Sequence, residues 1–219
     1  MSTPGFYGKL AVRGDFIHRG LSPAFVEAWD NWLAAGLAAS QQTLGEAWLD
    51  AYLVSPLWRF AVAPGLLGTE PACGVMMPSV DRVGRYFPLT IALPLPADTD
   101  IGQLVSGTDD WFERAEGLLL STLAEEADAD AFERGVEALG SPQLATCNGP
   151  RWDASGAAIW SVDNPQGRGL ALMQQTCSGA SLWWGNGSER VAPGLVRFAG
   201  LPPAEAFCRL LSESAGGQP

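Results

Sequence analysis

The chain is predicted to be an α/β protein, a helix-sheet-helix sandwich with a largely antiparallel or mixed central sheet. Three observations predict it. Amphipathic helical stripes occur early, in the middle and late, so helices are available to cover both faces of a sheet. Between them lie short runs of strand composition. Their connections are rich in Gly and Pro, which suits an antiparallel meander better than helical crossovers. At 219 residues the chain is long enough for a sizeable core. No composition shift marks a convincing boundary, so one domain is expected over residues 1–219, with 214–219 a frayed tail.

Phe6 to Val12 reads as the opening strand, and Gly14-Asp15 turns it into an irregular loop that reaches Gly20. The first helix announces itself with an N-cap serine, Ser22, a proline at its first position, Pro23, and a staple from Leu21 to Val26. Phe25, Trp29, Trp32, Leu33 and Leu37 follow at helical spacing. Gly45 interrupts that helix, a second short one carries Trp48, Leu49, Tyr52 and Leu53, and Pro56 stops it. Strands are expected over Leu57 to Val62, Cys73 to Met77 and Tyr86 to Leu93, the last placed at an edge or bulge by Pro88.

Beyond Pro94 and Pro96, a helix from about Asp109 to Glu126 turns Phe112, Ala115, Leu119, Leu120 and Leu123 inward. A shorter one holds Phe132, Val136 and Leu139 and ends at Gly140 and Pro142. Strands are predicted again around Ala157 to Val162, Leu170 to Gln174 and Ser181 to Trp184. A last helix starts near Pro203 and packs Phe207, Leu210 and Leu211.

Charge narrows the function. The net charge of -11, with Lys9 the only lysine, excludes nucleic acid and anionic membrane surfaces as partners. Ten carboxylates between Asp109 and Glu137 face only Arg114 and Arg134, so -8 of the charge sits there and the remainder is nearly neutral. Asp109, Glu113 and Glu116 fall opposite an apolar helical stripe, the pattern of a solvated face, with a docking surface as the second reading. No signal-peptide pattern opens the chain and no window is apolar enough to insert into a membrane, so a cytoplasmic protein is expected. Cys73, Cys147, Cys177 and Cys208 are too dispersed for a zinc or disulfide framework.

The inventory for catalysis is thin. His18 is the sole histidine, and there is no nucleophile elbow, phosphate loop or paired-histidine metal motif. No catalytic residue, metal or cofactor is therefore assigned. A hydrolase or ligand-binding enzyme using His18 or the carboxylates is the alternative.

Between Pro78 and Pro88 lies Asp81-Arg82-x-x-Arg85, where prolines limit backbone freedom and an arginine fork suits a carboxylate. Asp15, Asp81, Arg82 and Arg85 are the candidates for a structural lock or a partner surface. The lock reading pairs Arg85 or Arg82 with Asp15, Asp50 or Asp81. Trp183 and Trp184 are the candidate aromatic contact, because neighbours in a strand face opposite sides and one is exposed unless helices cover both.

These segments carry a resemblance. Gly5-Phe-Tyr-Gly-Lys-Leu10, Gly14-Asp-Phe16, Trp29-Asp-x-Trp32, Leu44-Gly-x-x-Trp-Leu-Asp50, Trp58-Arg-Phe60 and Pro78-Ser-Val-Asp-Arg-Val-Gly-Arg-Tyr-Phe-Pro-Leu-Thr90 together resemble the TagF family of type VI secretion-associated proteins. Ser181-Leu-Trp-Trp184 and Gly200-Leu-Pro202 extend the match more weakly. Ala11 departs from it, where relatives often carry proline. The resemblance implies an α/β sandwich and a cytoplasmic, non-enzymatic regulator that represses type VI secretion after translation. It further implies contact with the forkhead-associated scaffold protein of that system. A structural subunit of the apparatus is the remaining alternative.

Overall fold

The computed structural model describes residues 3–105, 107–144, 150–162 and 165–213. Its centre is a seven-stranded, wholly antiparallel sheet built from β1 (Gly5–Lys9), β2 (Phe16–Arg19), β3 (Trp58–Val62), β4 (Ala72–Met77), β5 (Leu89–Pro94), β8 (Ala180–Gly185) and β9 (Gly194–Ala199). Strand order is β2-β1-β5-β4-β3-β8-β9, while β6 (Arg151–Trp152) and β7 (Ala158–Ile159) pair separately. Among the described residues six α-helices accompany the sheet: α1 (Pro23–Leu44), α2 (Trp48–Leu53), α3 (Asp109–Ser121), α4 (Ala129–Ala138), α5 (Pro165–Cys177) and α6 (Cys208–Leu211).

Period-two alternation divides the interior into two cores. Trp58, Phe60 and Val62 of β3 and Trp183 of β8 point to one side, where Trp29, Trp32, Leu33 and Leu37 of α1 meet Trp48, Phe207 and Leu210. Ala61, Leu182 and Trp184 point to the other, against Phe112, Ala115 and Leu119 of α3 and Phe132 and Val136 of α4. Helix α1 starts as its signals require, with the Ser22 hydroxyl accepting from Phe25 N at 3.2 Å and Pro23 opening the helix. Gly45 closes it at φ 54°.

On the α3 side of β3 the aliphatic pattern is broken by Arg59, only 5% exposed. Its guanidinium forks Glu116 (Nε to Oε1 2.7 Å, Nη2 to Oε2 3.0 Å), and Nη1 reaches Asp109 at 2.6 Å. A buried cation is tolerated only when paired in this way. Two acids of the supposedly solvated face thus bolt α3 to the sheet.

Several expectations are corrected. Leu89–Pro94 lies between β1 and β4, hence inside the sheet, because the ladder starts just after Pro88 and no internal N–H is lost. Leu170 to Gln174 is helical within α5, as a run of Leu, Ala, Met and Gln without β-branched residues favours. Helix α3 stops at Ser121, leaving Leu123 beyond it and exposed; Leu120 is on the helix's outer face, also exposed, and Trp111 takes the inward place. β2 and β9 are ordered strands at the two edges, where a loop and no element were expected. The tail 214–219 and Cys147 lie outside the described residues.

Candidate functional site

The segment between Pro78 and Pro88 is a turn fastened from several directions. Asp81 is buried. Its Oδ1 accepts from the backbone N–H of Val83 at 3.0 Å and of Arg85 at 2.9 Å, and its Oδ2 from Arg85 Nε and Lys9 Nζ, both at 2.7 Å. Arg85 also donates through Nη2 to the carbonyl of Gly14. Gly84, at φ 85°, supplies the left-handed residue that the turn needs.

Surrounding groups hold this turn to three elements. Ser79 Oγ donates to the Lys9 carbonyl of β1 at 2.8 Å, and the Tyr52 hydroxyl of α2 both donates to Ser79 O at 2.8 Å and accepts from Ser79 N at 2.9 Å. Arg82 N donates to Arg13 O at 3.1 Å. Lys9 Nζ lies 5.0 Å from the centre of the Phe16 ring, and Phe16 meets Phe87 edge-on at 4.8 Å. The chain's only lysine is therefore consumed inside the protein.

The structure brings Asp81 and Arg85 together and leaves Arg82 and Asp15 exposed. Both line a groove of about 570 Å3 with Arg13, Phe16, Ile17 and Glu133, between the Gly14 loop and α4. At the tip, Val83 is 64% exposed and Tyr86 is 37% exposed, Tyr86 resting on Trp48 and Tyr52 of α2. Arg82 makes no side-chain hydrogen bond or ion pair among the described residues. Arginine and apolar side chains projecting from a stiff base make a surface suited to an acidic and apolar partner.

The sequence reading missed Lys9, Ser79, Tyr52 and Phe16 as parts of this knot. A solitary lysine in a strand of an otherwise arginine-only chain was the available signal. Trp183 and Trp184 are corrected as contact candidates. Trp183 is fully buried against Trp32 at 5.1 Å and Phe60 at 5.5 Å, and Trp184 packs edge-on against Phe112 at 4.9 Å. Helices cover both faces of β8, so neither ring is presented.

Burial disfavours charge on Asp81, but the hydrogen bonds from Lys9, Arg85 and Val83 outweigh it and hold the carboxyl well below the ordinary range. Its folded value lies below its unfolded one. It therefore stabilises the fold above the unfolded pKa of about 3.9, and that contribution is lost as pH falls toward the folded value. Asp81→Asn is expected to be the less stable protein at pH 7, with the gap narrowing below about pH 4. Denaturant midpoints of both proteins from pH 7 to 2 check this, and a gap independent of pH contradicts it.

His18 stands exposed on edge strand β2, with β1 and β5 between it and the strand of Cys73. Burial pushes the Cys73 thiol up, and burial followed by the nearby Asp100 does the same to Cys177, which works against thiolate chemistry at either. Among the described residues no group of three or more His, Cys, Asp or Glu is placed to hold a metal ion. No described helix is long and apolar enough to cross a membrane.

An antiparallel α/β sandwich with a fastened surface turn is the form taken here by a type VI secretion-associated protein. Residues 5–139 match the family described as "TagF N-terminal domain, Type VI secretion system-associated". The chain belongs to the TagF family. Its fold is similar to that of PA0076 from Pseudomonas aeruginosa PAO1, a crystal structure 55% identical in sequence, with a TM-score of 0.92 over 99% of this chain and 97% of that one. Comparison with curated proteins gives no match.

Proposed function

We propose that this chain is a non-enzymatic, cytoplasmic repressor of type VI secretion that acts after translation by binding another protein, the forkhead-associated scaffold of the system. Family membership supplies the secretion context. The observation that carries the contact reading is the turn around Asp81, whose acid is sequestered while Arg82 and Val83 project from a backbone with little freedom to move. A pre-organised tip loses little entropy on docking. Asp15, Arg13 and Arg82 in the adjoining groove give a partner both signs of charge to read.

Deleting the gene is expected to raise effector export with unchanged transcript levels. The purified chain is expected to retain the scaffold in a pull-down. Arg82→Glu with Val83→Asp should weaken that binding by about 10- to 100-fold, the range of interface hot spots, and relieve repression. Both side chains are exposed, so the melting temperature should stay within a few degrees of the unsubstituted chain. Full binding by the folded double variant moves the contact surface elsewhere, and no retention of the scaffold removes it as partner. Stable co-purification with the assembled apparatus would instead indicate a structural subunit. Turnover of a small molecule, abolished by one side-chain exchange, would overturn the non-enzymatic reading.

A further inference from the structure

The seven-stranded sheet ends at two edges of opposite character. β2 is four residues long, exposes His18 and Arg19, and has Arg19 ion-paired to Glu133 of α4 at 2.9 Å. Charged, short edges of this kind resist strand addition. β9 is six residues long, with Leu195 55% exposed and Val196 37% exposed. Beyond the β8 ladder, no backbone hydrogen bond of residues 194–199 is found among the described residues. Such an edge offers unpaired N–H and C=O groups in register with apolar side chains.

Among the described residues both faces of β9 carry exposed side chains, although Phe198 packs on the α1-side core and Arg197 Nε donates to the Thr176 carbonyl of α5 at 2.8 Å. Leu195 and Arg197 lie across from Trp184 and Leu182, on the α3 side, while Val196 and Phe198 lie across from Trp183 and Ser181, on the α1 side. On the latter side a groove of about 560 Å3 runs beside Val196, lined by Trp58, Arg209, Leu210 and Glu213. A suitable occupant must supply a strand and apolar groups on both faces, and a second sandwich edge of the same kind does so.

Charge selects this edge for self-association. Copies with a net charge of -11 repel one another; of the acidic stretch 109–137, α4 packs on β1, α3 has Asp109 and Glu116 already paired with Arg59 of β3, and Glu125, Glu126 and Asp128 lie between the two helices. β9 stands five strand spacings from β1, about 24 Å at 4.8 Å each. That exceeds the Debye length of about 8 Å at physiological salt, so copies meeting at β9 keep their α4 helices electrostatically apart. The local charges are Arg197 and Arg209 with Glu213, a set able to complement itself across a two-fold axis.

We propose that two copies of this chain pair antiparallel through β9 about a two-fold axis at Val196, joining their sheets into one. An axis normal to the sheet keeps each face with its like, so a residue must oppose one of the same parity. Centred on Val196, the register sets Leu195 of one copy against Arg197 of the other. Centred on Arg197, it sets two guanidinium groups face to face, which is disfavoured.

Sedimentation velocity of the full chain at about 50 μM, where a micromolar dimer is largely formed, is the test. A dimer is expected, and Leu195→Lys with Val196→Lys should raise its dissociation constant by about 100-fold with unchanged circular dichroism. Val196→Cys should cross-link under mild oxidant, because opposed Cα atoms in such a pair lie about 4.5–5.5 Å apart, within disulfide range. Gln42→Cys, exposed on α1, and the unsubstituted chain should not. A monomer at that concentration, a dimer untouched by the lysines, or Val196→Cys cross-linking no faster than Gln42→Cys overturns the proposal.

Discussion

Trp29→Ala is expected to lower stability by about 3–5 kcal/mol, the range for truncating a large buried aromatic. Trp29 is fully buried and lies at the crossing of α1 with the sheet, 4.7 Å from the Phe60 ring, 4.8 Å from Trp32 and 6.1 Å from Trp183. Its Nε1 donates to Thr90 Oγ1 in β5 at 3.0 Å, so truncation opens a cavity and leaves a buried hydroxyl without that partner. In a protein of this size the melting temperature should fall on the order of 10 °C. Trp29→Phe should recover part of the loss by restoring ring packing without the hydrogen bond. Calorimetry of the three proteins decides it, and a fall under about 1 kcal/mol for Trp29→Ala would mean the core closes over the gap.

Gly8→Ala is the second large effect, and it reaches the candidate surface. Gly8 adopts φ 139°, a conformation that side chains other than glycine's rarely take. A Cβ there would overlap the Pro88 carbonyl oxygen and come within 2.8 Å of Leu89 Cα. Both are backbone atoms with nowhere to go. The methyl group must push β1 away from β5, which also displaces Lys9, the next residue, from Asp81. Expected are a loss of about 3 kcal/mol or more and, under the proposed function, weakened scaffold binding in the same variant. Gly14→Ala, where a Cβ meets nothing within 4 Å, is the matched control and should change neither. Normal stability in Gly8→Ala would show that the strand pair yields cheaply.

Helices were the most legible part of the fold. Ser22, Pro23 and the stripe of Phe25, Trp29, Trp32, Leu33 and Leu37 act within a few residues of one another, so their signals survive without knowledge of the rest. Edge strands were the least legible. β2 and β9 are exposed on most positions, and an exposed strand lacks the alternation that burial imposes. The site was half readable: Asp81 with Arg85 is an i,i+4 pair inside one turn, whereas Lys9 meets Asp81 across 72 positions. Arg59 shows the same limit, since nothing local to β3 announces Glu116 and Asp109 on a helix fifty residues on.

The sequence by itself determined the class of layers, the start and phase of α1, the rigidity of the Pro78 to Pro88 turn and where the negative charge is concentrated. These depend on backbone propensity and short-range periodicity, which act between near neighbours. Only the tertiary structure decided that a strand from the last third lies against β3, that both faces of Trp183-Trp184 are covered, and that the one lysine faces inward. Those outcomes are settled by packing and charge pairing between distant segments, whose energies exist only once the chain has closed on itself.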